Sequence, residues 1–280
     1  MTAYIYKRST HVHIQTQMST FHQHVFVDLS YFTIHRYFAV LRYFKLSKKE
    51  DATQEEVFER FALSFNKSIK SLLFKYEVTE PVKLYFAQDC PRSEIWRNEL
   101  WPTYKGARVA NQAFDPAIFK YVLETVLPAG GWTVVKYPRA EADDVIAIAH
   151  KMIRGNGNDK ILIVTNDHDY LQLYDEFTTI VNGNDELILS KYNDEILKVI
   201  LEYKIIRGDV SDNIPSIGRL IGEKTAKKLA LDQVALNKKL ENPAVLEQYV
   251  LNRKLMSFAE IPEDIVKGII DALAAACVVI

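Results

Sequence analysis

RAEADDVIAIAH, residues Arg139–His150, sets Glu141, Asp143 and Asp144 directly against an apolar run from Val145 to Ala149. Acidic residues suit the first turn of a helix, where free N–H groups and the dipole favour negative charge. A helix start accounts for acids at this spot. Whether they also form a site depends on what the rest of the chain brings beside them.

Just upstream, WTVVKY (Trp132–Tyr137) reads as a strand, and Glu141 follows it. HVFVDLS (His24–Ser30) reads as a buried strand ending in Asp28, and VKLYFA (Val82–Ala87) as another, closed by Asp89. KILIVTND (Lys160–Asp167) is a fourth, with Asp167 at its end and Asp169 just beyond. Helical patterns lie between them. Ser30–Leu46 is aromatic-rich, Gln54–Glu77 is amphipathic with acids early and lysines late, and Asp115–Leu127 is a third candidate. Strands alternating with helices predict an α/β fold with a mostly parallel central sheet. Such sheets bind ligands outside the carboxyl ends of their strands. Asp28, Asp89, Glu141 and Asp167 all fall at or just after such ends. Capping explains one such event or two; four separate strands delivering a carboxylate to one edge point to a site.

Composition narrows the classes. The chain has 280 residues, enough for one large domain or one with a smaller companion, and 48% hydrophobic with 25% charged residues is globular rather than disordered. A net charge of −1 predicts neither a whole-surface nucleic-acid binder nor a membrane-surface protein, so any basic site must be local. The two cysteines, Cys90 and Cys277, have no metal-ligand spacing, which fits a reducing compartment and argues against zinc and a disulfide framework. No apolar stretch is long enough to span a bilayer, and the run Ala272–Ile280 is expected to be a packed helix or strand. Residues 1–23 read as an irregular extension, too poor in arginine for a transit peptide, with Met18 as an alternative start. The pairs His11/His13 and His22/His24 read as solvated tail residues rather than metal ligands.

Adding Asp143, Asp144, Asp169, Asp209 and Asp212 gives up to nine carboxylates that can converge. Unneutralised, that much like charge would repel or force groups to hold protons. Hard divalent cations with oxygen ligands resolve the conflict, which predicts Mg²⁺, with Mn²⁺ as a substitute. Two such ions about 3.5–4 Å apart suit phosphoryl transfer. A haloacid-dehalogenase-type phosphatase is disfavoured, because Asp28 is followed by Leu29 and Ser30 rather than by a second acid two residues on. Phospho-receiver domains carry fewer carboxylates.

RGDVSDNIPSIGRLIGEKTAKKLA (Arg207–Ala230) adds a second signal. Asp209 and Asp212 precede a turn with Pro215, Gly218 and Gly222, then a helix with Lys224, Lys227 and Lys228. Glycines let backbone N–H groups approach a phosphate, and the lysines form a local basic patch. This string resembles the helix–three-turn–helix element of the structure-specific 5′ nucleases. That family comprises flap endonucleases, the 5′-nuclease domains of bacterial DNA polymerases, and bacteriophage 5′–3′ exonucleases also called ribonuclease H. The resemblance runs from Val25 to Leu229, on EADD (Glu141–Asp144), TNDHDYLQL (Thr165–Leu173) and GDVSDNIP (Gly208–Pro215). WRNELWPTYKGAR (Trp96–Arg108) is similar to the phage members' segment leading into a helical arch.

The resemblance implies a PIN-like three-layer nuclease domain over residues 24–199 with a short helical arch, then a helical DNA-binding region over 200–280. It implies a first metal site at Asp28, Asp89, Glu141 and Asp143, with Asp144 close behind, and a second at Asp167, Asp169 and Asp209, with Asp212 in support. Lys105 and Arg108, helped by Arg36, would face the scissile phosphate; Arg92 and Arg97 are either further phosphate contacts or surface charges. Gly218, Gly222, Lys224, Thr225, Lys227 and Lys228 would grip the duplex, with K⁺ as a candidate ion in the turn. The turn departs from the family: Ser216 replaces its first glycine, and one extra residue lies between Pro215 and Lys224.

The implied function is a two-metal 5′ nuclease, exonuclease or flap endonuclease, acting on DNA and RNA–DNA hybrids, with RNA primer removal in replication as its use. The implied setting is a monomer in the cytoplasm of a phage-infected bacterial cell, with single-strand-binding protein or other replication proteins as partners and no membrane. A PIN-type ribonuclease would lack Arg207–Leu229. A non-catalytic nucleic-acid-binding subunit would need a broken acidic set.

Overall fold

The computed structural model describes residues 24–49, 51–78, 83–109 and 111–276. It begins with β1 (His24–Asp28), which runs straight into α1 (Leu29–Leu46). Asp28 makes the turn: it is the last strand residue and also caps α1, its Oδ1 accepting from the Tyr31 N–H at 3.0 Å. α2 (Gln54–Lys75) opens with a reciprocal cap between Thr53 and Glu56, which is why its acids come early. Then come β2 (Lys83–Ala87), α3 (Arg97–Leu100) and α4 (Ala117–Tyr121), the last continuing through a π turn into α5 (Leu127–Gly130). Gly131, at φ 64°, ends that helix in the left-handed conformation that glycine adopts cheaply. β3 (Thr133–Val135), α6 (Ala142–Asn156), β4 (Ile161–Val164) and β5 (Thr178–Val181) complete the sheet. The remainder is helical: α7 (Asp194–Leu197), α8 (Ile200–Arg207), α9 (Glu223–Leu231), α10 (Gln233–Leu240), α11 (Pro243–Met256) and α12 (Glu263–Ala275).

The five strands pair in parallel in the order β3-β2-β1-β4-β5, so all carboxyl ends share one edge. Period-2 alternation sends side chains to opposite faces. Phe26, Tyr85, Ile163 and Ile180 pack with α6 and the C-terminal helices on one face. Val27, Phe86, Val164 and Val181 pack with α1, α2, α4 and α5 on the other. Burial on both faces is what a parallel sheet requires, and it explains the near-continuous apolar runs. The result is the three-layer PIN-like arrangement. β5 went unread in the sequence because its four residues, TTIV, are too short a run to show a clear period.

Residues 200–276 do not form a core of their own. Ile206, Ile217, Leu229, Ile265 and Ile269 belong to the cluster that covers α6. A smaller cluster joins Ile95 and Tyr104 to Ile205, Ile214, Leu255 and Met256.

Two local expectations change. His24 is not a solvated tail residue: it starts β1, is buried, and its Nε2 lies 3.1 Å from Asp159. His11, His13, His22, Cys277 and the extension 1–23 lie outside the described residues, as does the end of the run Ala272–Ile280, whose start falls in α12. In place of a helical arch, the described residues between α3 and α4 form turns. Pro102 and Gly106 interrupt the segment, and Asn111 and Asp115 fold it locally by accepting from the N–H groups of Ala113 and Ala117. No helix among the described residues is long and apolar enough to cross a membrane.

Candidate active site

A cavity of about 450 Å³ opens at the carboxyl edge, lined by Asp28, Asp89, Glu141, Asp143, Asp167 and Asp209 together with Lys105, Arg108 and Lys204. Each of four acids spends one oxygen on local structure. Asp28 caps α1. Asp89 Oδ1 accepts from the Ala142 N–H at 2.8 Å, fastening β2 to the start of α6. Asp143 Oδ1 accepts from Asp144 N, and Asp167 Oδ1 from Asp169 N, both at 2.8 Å. Capping and clustering are therefore one design: the cap sets the orientation and leaves Oδ2 of Asp89, Asp143 and Asp167 without a protein donor among the described residues.

These four acids, Asp28, Asp89, Asp143 and Asp167, have no ion-pair partner among the described residues. Burial, and next the Asp89 charge, push the Asp28 carboxyl up to about 7. Burial and then Asp144 raise Asp143 well above the usual carboxylate range. Packed like charge with no counter-ion has the electrostatics of a cation site.

The other acids are neutralised internally. Asp144 does not line the cavity. Fully buried, it receives Arg97 through both oxygens (2.8 and 2.9 Å), the Trp96 indole N–H (3.0 Å) and the Glu141 backbone N–H (3.1 Å). Glu141 accepts from Arg97 and from the Tyr104 hydroxyl, both at 3.0 Å, and from Lys105. Burial alone would raise Glu141, but Lys105 and Arg97 outweigh it and hold the group below the usual range. Glu141, Asp143 and Asp144 still each offer an oxygen within 4.8 Å of the others. Asp212, also behind the wall, pairs with Arg108 and accepts from Tyr104 at 3.2 Å. Asp169 pairs with the buried Lys204, which lies 3.6 Å from Asp209. Burial raises Asp169 to about 6 against the pull of Lys204.

The structure places Lys105 and Arg108 at the cavity as expected. Lys105 sits at φ 55°, rare for a side chain-bearing residue, with its N–H bound to the Asp212 carbonyl at 2.9 Å. A backbone outlier held by such a bond fixes where the ammonium points. Arg36 is not brought to the cavity. Its guanidinium donates to Ser68 Oγ on α2 (2.6 Å) and lies 3.1 Å from His35 Nδ1, because Ser68 packs within reach on the neighbouring helix. Arg97 is an internal anchor rather than a phosphate contact: 2% exposed, it also donates to the Leu255 carbonyl of α11 at 2.7 Å. Arg92 is exposed and lines no part of the cavity.

Sequence reasoning missed Trp96, Tyr104 and Lys204. Trp96 and Tyr104 lay inside the WRNELWPTYKGAR segment without being singled out, and Lys204 stands in ILEYKIIR on the same stripe as Ile200 and Tyr203, where a lysine needs an internal partner. On α9, Lys224, Thr225 and Lys228 are exposed, and Lys227 pairs with Glu223 one turn away. The extra turn residue is absorbed around Leu220, which is 98% exposed at φ 61°, and Ser216 Oγ donates to the Gly218 carbonyl at 2.9 Å.

The sequence profile described as 5′-3′ exonuclease, N-terminal resolvase-like domain, matches residues 23–201. The chain belongs to the 5′-3′ exonuclease family. The family resemblance seen in the motifs is thereby confirmed, and family members of known structure share the architecture. Deinococcus radiodurans DNA polymerase I is 33% identical over 155 residues, covering 54% of this chain and 16% of the polymerase. Streptococcus pneumoniae DNA polymerase I is 31% identical over 175 residues, covering 59% of the chain and 20% of the polymerase. The chain thus spans about a fifth or less of these polymerases' length. The bacteriophage T5 flap endonuclease, solved with DNA and metal ions, superposes with a TM-score of 0.64 at 18% identity, covering 90% of this chain and 98% of that one. T5 5′-exonuclease with bound zinc gives 0.61 at 19% identity, covering 90% and 99%. At these identities the likeness shows a shared fold.

Proposed function

We propose that this 5′-3′ exonuclease family member is a divalent-metal-dependent nuclease that hydrolyses phosphodiesters at 5′ ends or flaps of DNA and RNA–DNA hybrids. The observation that carries it is the convergence of Asp28, Asp89, Asp143 and Asp167 from four segments onto one cavity without protein counter-ions. An all-carboxylate donor set fits Mg²⁺ or Mn²⁺ and suits zinc poorly. Asp28, Asp89 and Asp143, with Glu141, would hold one ion; Asp167, with Asp169 and Asp209, would hold the other. When bound, the pair supplies charge neutralisation for the attacking and leaving oxygens.

The chain's own groups do the rest. Lys105 and Arg108 sit where charge develops on the phosphate and stabilise it. Arg97 and Trp96 hold Asp144, and through it the start of α6, so Asp143 keeps its direction. Gly218, Gly222, Lys224, Thr225, Lys227 and Lys228 would bind duplex phosphates without reading sequence, with K⁺ as a candidate ion in the turn. Asp212 acts as the anchor of Lys105 and Arg108 rather than as a ligand. Removal of RNA primers, in a phage-infected bacterial cell or elsewhere, is the use this chemistry suits.

The test is cleavage of 5′-labelled flap and hybrid substrates with Mg²⁺ and with excess chelator. Metal-dependent release from the 5′ end is expected. Full-rate cleavage in chelator would overturn the assignment.

A further inference from the structure

We infer that a second, apolar cavity beside the acidic edge receives an unpaired base of the substrate strand, on the 5′ side of the scissile phosphate. This rests on the 5′-nuclease function proposed above and adds to it a substrate subsite.

The cavity, of about 560 Å³, lies at the carboxyl ends of β1, β2 and β3, and its walls include Leu29, Pro91, Phe119, Leu123, Tyr137 and Pro138. That is ligand-sized space. It adjoins the acidic cavity directly, since Ser30 and Asp89 line both. Sheet order sets the direction of travel. β4 lies on one side of β1, and Asp169, just past β4, pairs with Lys204 of α8, the helix that packs against α9; β2 and β3 lie on the other side. A strand whose duplex is held at α9 crosses Asp167, Asp28 and Asp89 in turn, and the next surface it meets is this cavity.

The wall chemistry suits a base rather than a phosphate. Aromatic and proline faces stack on any base, which serves an enzyme that must not select sequence. The charged groups Glu94 and Lys136 stand at the exposed rim, where Lys136 can meet the backbone phosphate that follows the base. Tyr137 is backed by α12. Gly268 leaves room for the ring, since a Cβ there would fall 1.9 Å from Tyr137 Cζ.

The experiment places one abasic nucleotide at successive unpaired positions of a 5′ flap. It measures binding in Ca²⁺ and single-turnover cleavage in Mg²⁺. The wild-type chain should lose about tenfold when the abasic nucleotide falls at one position next to the cleaved bond, the order of one stacked base. Phe119→Ala should bind the intact flap about tenfold more weakly and show no further abasic penalty. Lys136→Glu, on an exposed residue whose change spares the fold, should weaken binding of a flap but not of a substrate lacking unpaired 5′ nucleotides. Normal cleavage with no abasic penalty in the wild type overturns the base site while leaving the nuclease function standing. So does a penalty retained in Phe119→Ala, or equal losses for both substrates in Lys136→Glu. A wild-type chain that cuts no intact substrate overturns the nuclease function itself.

Discussion

Asp28, Asp89, Asp143 and Asp167 face Glu141, Asp144, Asp169, Asp209 and Asp212 across the same sheet edge, yet the fold treats the two groups oppositely. The first four use an oxygen to cap a local element and receive no cation from the chain. The other five are each ion-paired, to Arg97, Lys105, Arg108 or Lys204. The residue types are the same, so sequence position does not separate them. What separates them is whether a neighbouring segment places a cation within reach. The paired acids stiffen a frame, and the unpaired ones are the part of that frame left for an ion from outside.

Four variants test this division. Asp143→Ala or Asp167→Ala should reduce single-turnover cleavage by ~10³ or more, since each removes a group proposed to hold metal. Their melting temperature in chelator should be unchanged or higher, because repulsion is relieved. A lower melting temperature in chelator would make these residues structural and erase the distinction.

Arg97→Met should do the reverse. Removing one partner of a buried ion pair leaves Asp144 without a cation, while Glu141 keeps Lys105, at a cost of about 3–5 kcal/mol, readable by denaturant unfolding. Loss of under ~1 kcal/mol would mean the paired acids do not depend on their cation.

Asp28→Asn sharpens the comparison through pH. The folded carboxyl titrates at about 7, above its ordinary value of 3.8. Between these values the folded state holds the proton more tightly than the unfolded state does. Metal-free stability from this group is therefore present at low pH and lost as pH rises towards 7. The melting-temperature advantage of Asp28→Asn over wild type in chelator should grow from pH 5 to pH 7.5, and Mg²⁺ should abolish it. A constant difference across that range would show that Asp28 is not strained by its neighbours.

The smallest effect is expected at α9. Lys224→Ala with Lys227→Ala should make the log–log salt dependence of duplex binding in Ca²⁺ shallower, by about 0.9 for each phosphate no longer neutralised. Lys227 already pairs with Glu223, so the expected change corresponds to one phosphate rather than two. An unchanged slope would remove α9 from the duplex interface.

The sequence by itself determined the parallel sheet and its acidic edge. Strand runs such as HVFVD and ILIV must be buried on both faces, and in a parallel sheet the residue after each run emerges at one shared end. Asp28, Asp89, Glu141 and Asp167 were legible for that reason, and the GDVSDNIP string marked the family. Strand β5 was not legible, because so short a run carries no local signal. His24, though read at the start of a strand, was also counted with the solvated tail, because nothing local marks its burial beside Asp159. Nor was the difference between Asp143 and Asp144, adjacent residues on one helix, legible. Arg97 comes from α3, where Leu255 of α11 also holds it, and it reaches Asp144 alone with both arms. Lys204 is aimed at Asp169 by α8, and Arg36 is drawn away to Ser68 by α2. Each of these outcomes depends on segments distant in the chain meeting in space, and charge neutralisation acts over a few ångströms of space rather than along the chain, so only the tertiary structure decided which carboxylates stay open.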